Sequence, residues 1–583
     1  MTDPRTAFAA AQAAHAAGEL DEAEHGYRAV LALEPGAVGA WVNLSGVLLA
    51  RGEFAVAEGA ARRAVALAPE LAAVNENLIA VMHARGDYAG ASEAAAVALF
   101  AGVRAAALHY ARGLALDRDG RWQEARAAYG EALALDPDHG PALSEALFLA
   151  RSCGDFAASG ALGVRFHAAL AEGVPGLTPF VFLAERAPPA AQRRAASLWS
   201  ASFGRAAPRP AWHGSDDGRI TLGYASADFH DHPTVHLLAA VLERHDRTRF
   251  RVIAYSWGPD DGSGSRARIR AACDAFVELE GAPSAAIAAR VRADGVQVFV
   301  DLKGHTADAR PELFLARPAP VQVNWLGYPG TLGDPAWDAV IGDAWVTPEG
   351  CEADYAERVV RLPDCYQPND PARPHPEAAP TRAALGLPED ALVLCCFNAP
   401  WKIDAARFAD WMAVLRAVPT AVLWLLDANP GQGLAERLRA EALRAGVAPE
   451  RLVFAPRAPQ AEYLARYLRA DLFLDTFPYG AHTTASDALW LACPVLTETG
   501  ATFASRVATS LVHAVGLPEL ATPTRDAYVA AAIALARDTA RLRSLRATLE
   551  ARRSSAALFD ATRFTRALED AYLSLAEAAR ATR

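Results

Sequence analysis

Two hydrophobic patterns follow one another along this chain. In the first, large apolar and small residues return every 34 positions. Gly18, Gly52, Gly86, Gly120 and Gly154 are spaced 34 apart each time. Leu20, Phe54, Tyr88, Trp122 and Phe156 follow two residues after them, and Ala23, Ala57, Ala91 and Ala125 five residues after the first four. Pro35, Pro69 and Pro137 lie 17 after the first, second and fourth glycines. The pattern predicts a pair of helices per period. Glycine closes the first helix by taking the left-handed conformation. The large apolar residue fills the gap between the helices, the alanine lets the second approach closely, and proline ends it. The third period has no proline near 103, so a local irregularity is expected there.

The second pattern begins at 219, where short β-rich runs alternate with helical stretches. Candidate strands are Ile220–Ala225, Arg251–Ser256, Val296–Leu302, Val321–Trp325 and Ala339–Ile341. A turn-rich stretch, Pro363 to Pro388, precedes a second set: Leu392–Phe397, Val422–Leu426, Leu452–Phe454, Leu472–Asp475 and Pro494–Leu496. Near-continuously apolar strands separated by helices predict parallel sheets covered on both faces. Two such sets predict two Rossmann-like domains with a cleft between them and ligands at the carboxyl ends of the strands. Between the two patterns, the Ala-, Arg- and Pro-rich stretch Pro175–Pro210 reads as helical packing followed by a linker. The chain after Asp526 reads as helical.

The period and pattern of the first part resemble the tetratricopeptide repeat. Such arrays stack into a superhelix whose concave groove usually binds peptides or proteins; a purely structural or dimerising superhelix is the alternative. The fold class expected is therefore α + α/β. The segments are a repeat array at 1–174, a helical and linker region at 175–215, and Rossmann-like domains at 216–375 and 385–583.

Composition narrows the function classes. The 583 residues carry a net charge of −11, which repels phosphate backbones and argues against nucleic acid as a partner. The seven cysteines form no C-x-x-C pair, so neither a disulfide framework nor a zinc knuckle is suggested, and a reducing compartment fits. The N-terminus lacks a basic and apolar signal pattern and no apolar run is long enough to span a bilayer, so a cytoplasmic protein without membrane partners is expected. No G-x-G-x-x-G follows the first strand of either half, and Walker A and G-x-S-x-G motifs are absent. Ordinary NAD enzymes, P-loop kinases and α/β-hydrolases recede accordingly.

Four segments carry candidate chemistry. In Asp475–Trp490 an apolar strand ends, a turn follows, and a helix opens near Thr483. The first turn of a helix presents free N–H groups and the positive end of a dipole to an anion. Thr483 and Thr484 can cap or donate, His482 can approach the same anion, and Asp487 lies one turn in, placed to accept from ribose hydroxyls. An ordinary capped helix with a structural histidine is the alternative. Cys395–Asp404 is also a strand end and delivers Lys402 towards the cleft, where an ammonium neutralises a departing pyrophosphate; a surface lysine is the plain alternative. Gly223–His236 crowds His230, His232 and His236 at a strand-to-helix turn. No carboxylate or cysteine spacing suits a metal there, so an acid–base or sugar-contacting histidine is the better reading. Arg317–Thr331 runs a strand into a Gly/Pro loop able to approach a ligand closely, or to serve only as a tight connection.

Taken together and in order, these four segments resemble the catalytic region of bacterial protein O-linked N-acetylglucosamine transferases, glycosyltransferase family 41. That family joins tetratricopeptide repeats to a GT-B pair of Rossmann-like domains. The resemblance implies transfer, with inversion, of N-acetylglucosamine from UDP-GlcNAc to Ser or Thr hydroxyls of a protein held by the repeats. It also implies roles. His482, Thr483 and Thr484 hold the diphosphate, Asp487 the ribose, and Ala458 and Arg466 the uracil, with Tyr463 stacking on it and Asn398 beside the nucleotide. Lys402 stabilises the leaving β-phosphate, Gly327 and Pro329 line the sugar, and His232 is base or sugar contact; the donor's own phosphate is the other candidate base. Ala399 replaces a glutamine of animal members, Tyr463 a histidine that stacks on uracil, and Gln460 a lysine. No cofactor and no metal is expected, because D-x-D occurs only at Asp117–Asp119 and Asp136–Asp138, in repeat turns. The competing readings are another UDP-hexose donor, a sugar-nucleotide epimerase, and a scaffold that binds UDP and a partner protein without efficient catalysis.

Overall fold

The computed structural model describes residues 3–215, 217–376 and 378–581. Its contacts divide the chain into two units. One comprises residues 1–149, 165–177 and 281–287, the other 150–164, 178–280 and 288–583.

The first unit is helical. Its pairs are Pro4–Ala17 with Leu20–Leu33, Val38–Ala50 with Phe54–Leu67, Ala72–Ala84 with Tyr88–Phe100, and Ala106–Arg118 with Trp122–Leu135. Gly18, Gly52, Gly86 and Gly120 all sit between the helices of a pair with φ of +74° to +79°, a region that penalises any side chain. The amide of Gly18 donates to His15 and that of Glu19 to Ala14, which satisfies carbonyls at the helix end. Ala23, Ala57, Ala91 and Ala125 are completely buried. The irregular third period resolves simply. Its second helix stops at Phe100, and Gly102, at φ +96°, does the terminating work that proline does elsewhere. Because Ala57 is completely buried where two helices meet, Ala57→Leu should overpack the first unit by about 1–3 kcal/mol. Thermal unfolding of the full chain followed by circular dichroism checks this; an unchanged first transition contradicts it.

The second unit holds two sheets. The first consists of β1 (Ile220–Ser226), β2 (Phe250–Ser256), β3 (Ala275–Glu278), β4 (Val298–Asp301), β5 (Val321–Asn324), β6 (Ala339–Asp343) and β7 (Arg358–Leu362), in the order β3-β2-β1-β4-β5-β6-β7. The second consists of β8 (Leu392–Cys396), β9 (Ala421–Leu426), β10 (Leu452–Ala455), β11 (Leu472–Leu474), β12 (Val495–Glu498) and β13 (Ala521–Thr522), in the order β10-β9-β8-β11-β12-β13. Every strand pairing is parallel. β1, β4, β5 and β6 are buried along their whole length, as parallel strands covered on both faces must be. The three strands absent from the sequence expectation, β3, β7 and β13, are all edge strands. They are short or carry charge, as in Arg358-Val-Val-Arg-Leu362, and so lack the apolar run that betrays a central strand.

The last helix, Ala561–Ala581, packs on the first sheet although it follows the second in sequence. Phe564 stacks on Trp325 at 6.0 Å. His245 Nδ1 lies 3.0 Å from Glu569 and its Nε2 2.8 Å from the Tyr224 hydroxyl, with both His245 and Glu569 side chains fully buried. Burial alone would raise the Glu569 pKa. Hydrogen bonds from His245, the Asp246 amide and Arg566 outweigh it and hold the carboxyl below its ordinary value. This clasp ties the C-terminus to the half of the unit that carries β1.

Candidate active site

Strand ends of the two sheets deliver the predicted side chains. β11 stops at Leu474, and the loop that follows is wound around the buried carboxylate of Asp475. Asp475 accepts from the amides of Thr476 at 2.8 Å and Ala481 at 2.7 Å, from Asn398 Nδ2 at 3.2 Å and from the Thr497 hydroxyl at 2.7 Å. Four donors on one carboxylate fix where the helix Thr483–Trp490 begins.

That helix begins without a side-chain cap. His482 occupies the N-cap position, but its ring lies against Tyr479, with centroids 4.8 Å apart, and its Nε2 is 3.3 Å from the Ala504 carbonyl. The Ala485 amide donates to the His482 carbonyl at 3.1 Å, and those of Thr483 and Thr484 are left for an anion rather than for the protein's own side chain. Burial, and then the charge of Lys402, push the His482 pKa well below the ordinary value, so the ring is neutral.

Lys402 reaches the same turn from β8. Its Nζ donates to the Gly480 carbonyl at 3.0 Å and lies 4.0 Å from the centre of the Tyr479 ring. Burial lowers its pKa to about 8, with Asp475 opposing the fall. Asn398, from the same strand end, is 1% exposed, and its amide is engaged at both ends. It donates to the Thr476 hydroxyl at 2.7 Å and accepts from the Thr484 hydroxyl. It therefore positions the loop and the helix start.

Further along the helix, Asp487 is buried and one carboxylate oxygen accepts from Arg373 Nη1 at 2.7 Å. Burial raises its pKa and Arg373 opposes the rise. The Tyr463 hydroxyl lies 2.7 Å from that of Tyr467, which donates to the Thr484 carbonyl. Arg466 is 6% exposed, and its Nη1 is a buried donor without a hydrogen-bond partner in the protein. An orphaned donor of this kind needs a ligand or water to satisfy it. Ala458 lies half-buried in the loop after β10.

On the first sheet, His232 follows β1 and caps the helix Pro233–Arg244. Asp228 and Lys303, at the ends of the neighbouring strands β1 and β4, form a buried ion pair with both carboxylate oxygens 2.8 Å from Nζ. Gly327 must be glycine, since a Cβ there would stand 1.9 Å from the Leu302 carbonyl oxygen. Pro329 is buried in the same loop. Of the three histidines of this region, His230 and His232 have ring centroids 5.4 Å apart, while His236 pairs with Asp231 at 2.7 Å and His232 caps its helix. Among the described residues no group of three or more His, Cys, Asp or Glu side chains is arranged to hold a metal ion.

The structure thus joins Lys402, His482, Asn398 and Thr484 around one helix start, and places Asp487 next to Tyr463. Among the described residues no hydrogen bond links Gly327, Pro329 or Ala458 to that cluster. It adds Asp475, Tyr479, Arg373, Asp228 and Lys303. Lys303 was findable by the reasoning that found Lys402, since it follows a readable strand. Arg373 sits in an aperiodic proline-rich stretch that gives no signal.

The family profile for glycosyl transferase family 41 matches residues 209–377 and 372–568, which is more than half of the chain. The chain belongs to glycosyltransferase family 41. A tetratricopeptide-repeat profile matches residues 106–139. A probable UDP-N-acetylglucosamine–peptide N-acetylglucosaminyltransferase, SEC, of Arabidopsis thaliana is 35% identical over 363 residues, covering 61% of this chain and 37% of the relative. The UDP-N-acetylglucosamine–peptide N-acetylglucosaminyltransferase of Caenorhabditis elegans is 29% identical over 464 residues, covering 60% and 40%. The chain spans well under half the length of these two relatives. A solved O-GlcNAc transferase of Thermobaculum terrenum, a lysine-to-methionine mutant, is 29% identical with a TM-score of 0.66 and covers 100% of both chains. It shares the fold over the whole length, helical repeats and two parallel-sheet Rossmann-like halves together. No helix among the described residues is long and apolar enough to cross a membrane.

Proposed function

We propose that this family 41 member transfers N-acetylglucosamine from UDP-GlcNAc to Ser or Thr hydroxyls of a protein that the repeat array recruits. The observation that carries the reading is the convergence of the Lys402 ammonium on the uncapped start of the helix Thr483–Trp490. In the reaction the acceptor hydroxyl gives up its proton, to His232 or to the donor's own phosphate, and its oxygen bonds to the anomeric carbon as the bond from that carbon to the β-phosphate oxygen breaks. Negative charge then grows on UDP. The first-turn amides, the helix dipole and Lys402 are preorganised to receive it. A nucleotide's phosphates fit that turn, Asp487 with its second carboxylate oxygen fits ribose hydroxyls, and the orphaned Nη1 of Arg466 fits a base carbonyl. Tyr463 supports stacking on the base, since its ring is only half-buried.

Incubation of the full chain with several UDP-sugars and a lysate of the source cell, followed by peptide mass spectrometry, tests the reading. The expected result is addition of N-acetylhexosamine to Ser or Thr, dependent on UDP-GlcNAc. Addition of a plain hexose replaces the sugar, and no addition alongside measurable UDP binding sinks the transferase reading in favour of a scaffold. Arg373 offers a narrower check. Arg373→Gln leaves Asp487 buried without its counter-charge, so the carboxyl pKa rises further and its capacity to accept from a ribose falls. A Kd for UDP raised about tenfold, some 1.4 kcal/mol, is expected by calorimetry, and an unchanged Kd removes Arg373 from the site.

A further inference from the structure

We propose that the fourth repeat holds an acidic site for a lysine side chain of the acceptor protein, built from Asp117, Glu145 and the hydroxyl of Tyr129. The role in recruitment rests on the transferase reading above; the binding itself does not.

The repeat register brings the three groups together. Tyr129 lies on the helix Trp122–Leu135, and its ring crosses the preceding helix, Ala106–Arg118, at Gly113. A Cβ on that glycine would stand 2.4 Å from Cε1 and 3.1 Å from Cζ of the tyrosine. Tyr110 and Asp117 flank Gly113 on one face of the helix, a turn to either side. The ring centroids of Tyr110 and Tyr129 are 6.2 Å apart. Glu145, on the helix Gly140–Ser152, stands 16 positions after Tyr129. Asn43 stands 16 positions after Tyr27, the equivalent tyrosine of the first repeat, and faces its hydroxyl. The same register gives Asn43, Asn77 and Ala111 where the fourth repeat has Glu145, so the charge is confined to one place along the array.

The site lacks a partner of its own. Tyr129 is 0% exposed, and its hydroxyl has no hydrogen-bond partner in the protein. A buried hydroxyl in that state needs a ligand or water. Asp117 and Glu145 are half-buried and so stay open to solvent. Arg118 eases both carboxylates without pairing with either, and Arg121 is taken by Glu124 at 2.7 Å. Burial, and then Asp117, bring the Glu145 pKa up to about 7. Burial, and then Glu145 and Asp117, also raise that of the Tyr129 hydroxyl. Like charges that push each other's pKa up are relieved by a cation between them. A lysine ammonium offers three donors and meets three acceptors here, two carboxylates and a hydroxyl. Calcium takes about six to eight oxygens, more than these groups supply. The surroundings add long-range attraction. Residues 1–149 hold 19 Asp and Glu against 11 Arg and no Lys, a field that steers a basic chain inwards.

Fluorescence anisotropy of a labelled tetralysine peptide with the full chain tests this, beside the same peptide acetylated on every lysine. Tetralysine is expected to bind and the acetylated peptide is not. Glu145 carries its charge above about pH 7 and loses it below, so binding should tighten as pH rises from 6 to 8. The titratable and charged groups facing it are Asp117, Arg118, Tyr110 and Tyr129. Glu145→Gln should weaken tetralysine about tenfold, the scale of one hydrogen bond to a charged group, and flatten the pH dependence. Asp117→Asn should weaken it likewise. Glu70→Gln, at an exposed position elsewhere in the array, removes the same charge and should leave the affinity unchanged. Equal losses in Glu70→Gln and Glu145→Gln reduce the effect to net charge and overturn the site. Equal binding of the acetylated peptide overturns it too, as does displacement of tetralysine by calcium but not by sodium at matched ionic strength. Failure of tetralysine to bind sinks the site and leaves the transferase reading intact. Absence of transfer with every UDP-sugar does the reverse, since the peptide assay uses no donor.

Discussion

Lys402→Met is expected to lower kcat by about 10²- to 10³-fold, the scale on which one preorganised charge-stabilising donor acts at a transition state. The side chain keeps its length and loses its charge, so the loss reports electrostatics rather than packing. The pH dependence gives the same prediction a second face. Burial brings the lysine pKa down to about 8. The charged form that receives the leaving diphosphate is present below that value and disappears above it. kcat/KM, which reports the free enzyme, should therefore fall as pH rises through about 8. Lys402→Arg, charged at all these pH values, should lack this limb whatever its absolute rate. Steady-state kinetics from pH 6 to 10 on the three proteins decide the matter. A limb that survives in Lys402→Arg assigns it to another group, and a kcat within threefold of the parent in Lys402→Met removes the lysine from catalysis.

Asp475→Ala is expected to destabilise the second unit by about 3–5 kcal/mol, the range for removing a buried ionic acceptor whose partners stay behind. Two amides, Asn398 and Thr497 would all lose their acceptor at once. The loop carrying Gly480 and His482 would lose the centre around which it is wound, so UDP binding should go with it. Denaturant unfolding of the full chain measures the first effect and calorimetry the second. A cost under 1 kcal/mol would show that the loop is held elsewhere. The kinetics carry a linked sign. Asp475 raises the pKa of Lys402, so any activity left in Asp475→Asn should show its alkaline limb at lower pH than the parent.

The two variants separate parts that a rate alone would confuse. Lys402 sits above a loop that Asp475 builds. The lysine acts on charge arriving in the reaction, and the aspartate acts on where the amides point before any ligand arrives. Loss of rate with normal UDP affinity belongs to the first, and loss of both with a lowered unfolding midpoint belongs to the second.

The sequence by itself determined the repeat array, because its signal is periodic and local. Glycine at the end of a first helix and alanine at the contact are demanded by backbone conformation and by van der Waals distance within 34 residues. It also determined the central strands, whose apolar runs need burial on both faces, the strand ends after which Asn398, Lys402 and His482 stand, and the helix that carries Asp487. The edge strands β3, β7 and β13 stayed hidden because an edge needs less apolar surface and carries charge. Only tertiary structure decided what the site residues touch. Arg373 meets Asp487 across 114 positions of chain, and Lys303 meets Asp228 across 75. No local pattern encodes such a pairing, because the energy that fixes it, charge stabilised by charge in a buried place, exists only once both segments are folded.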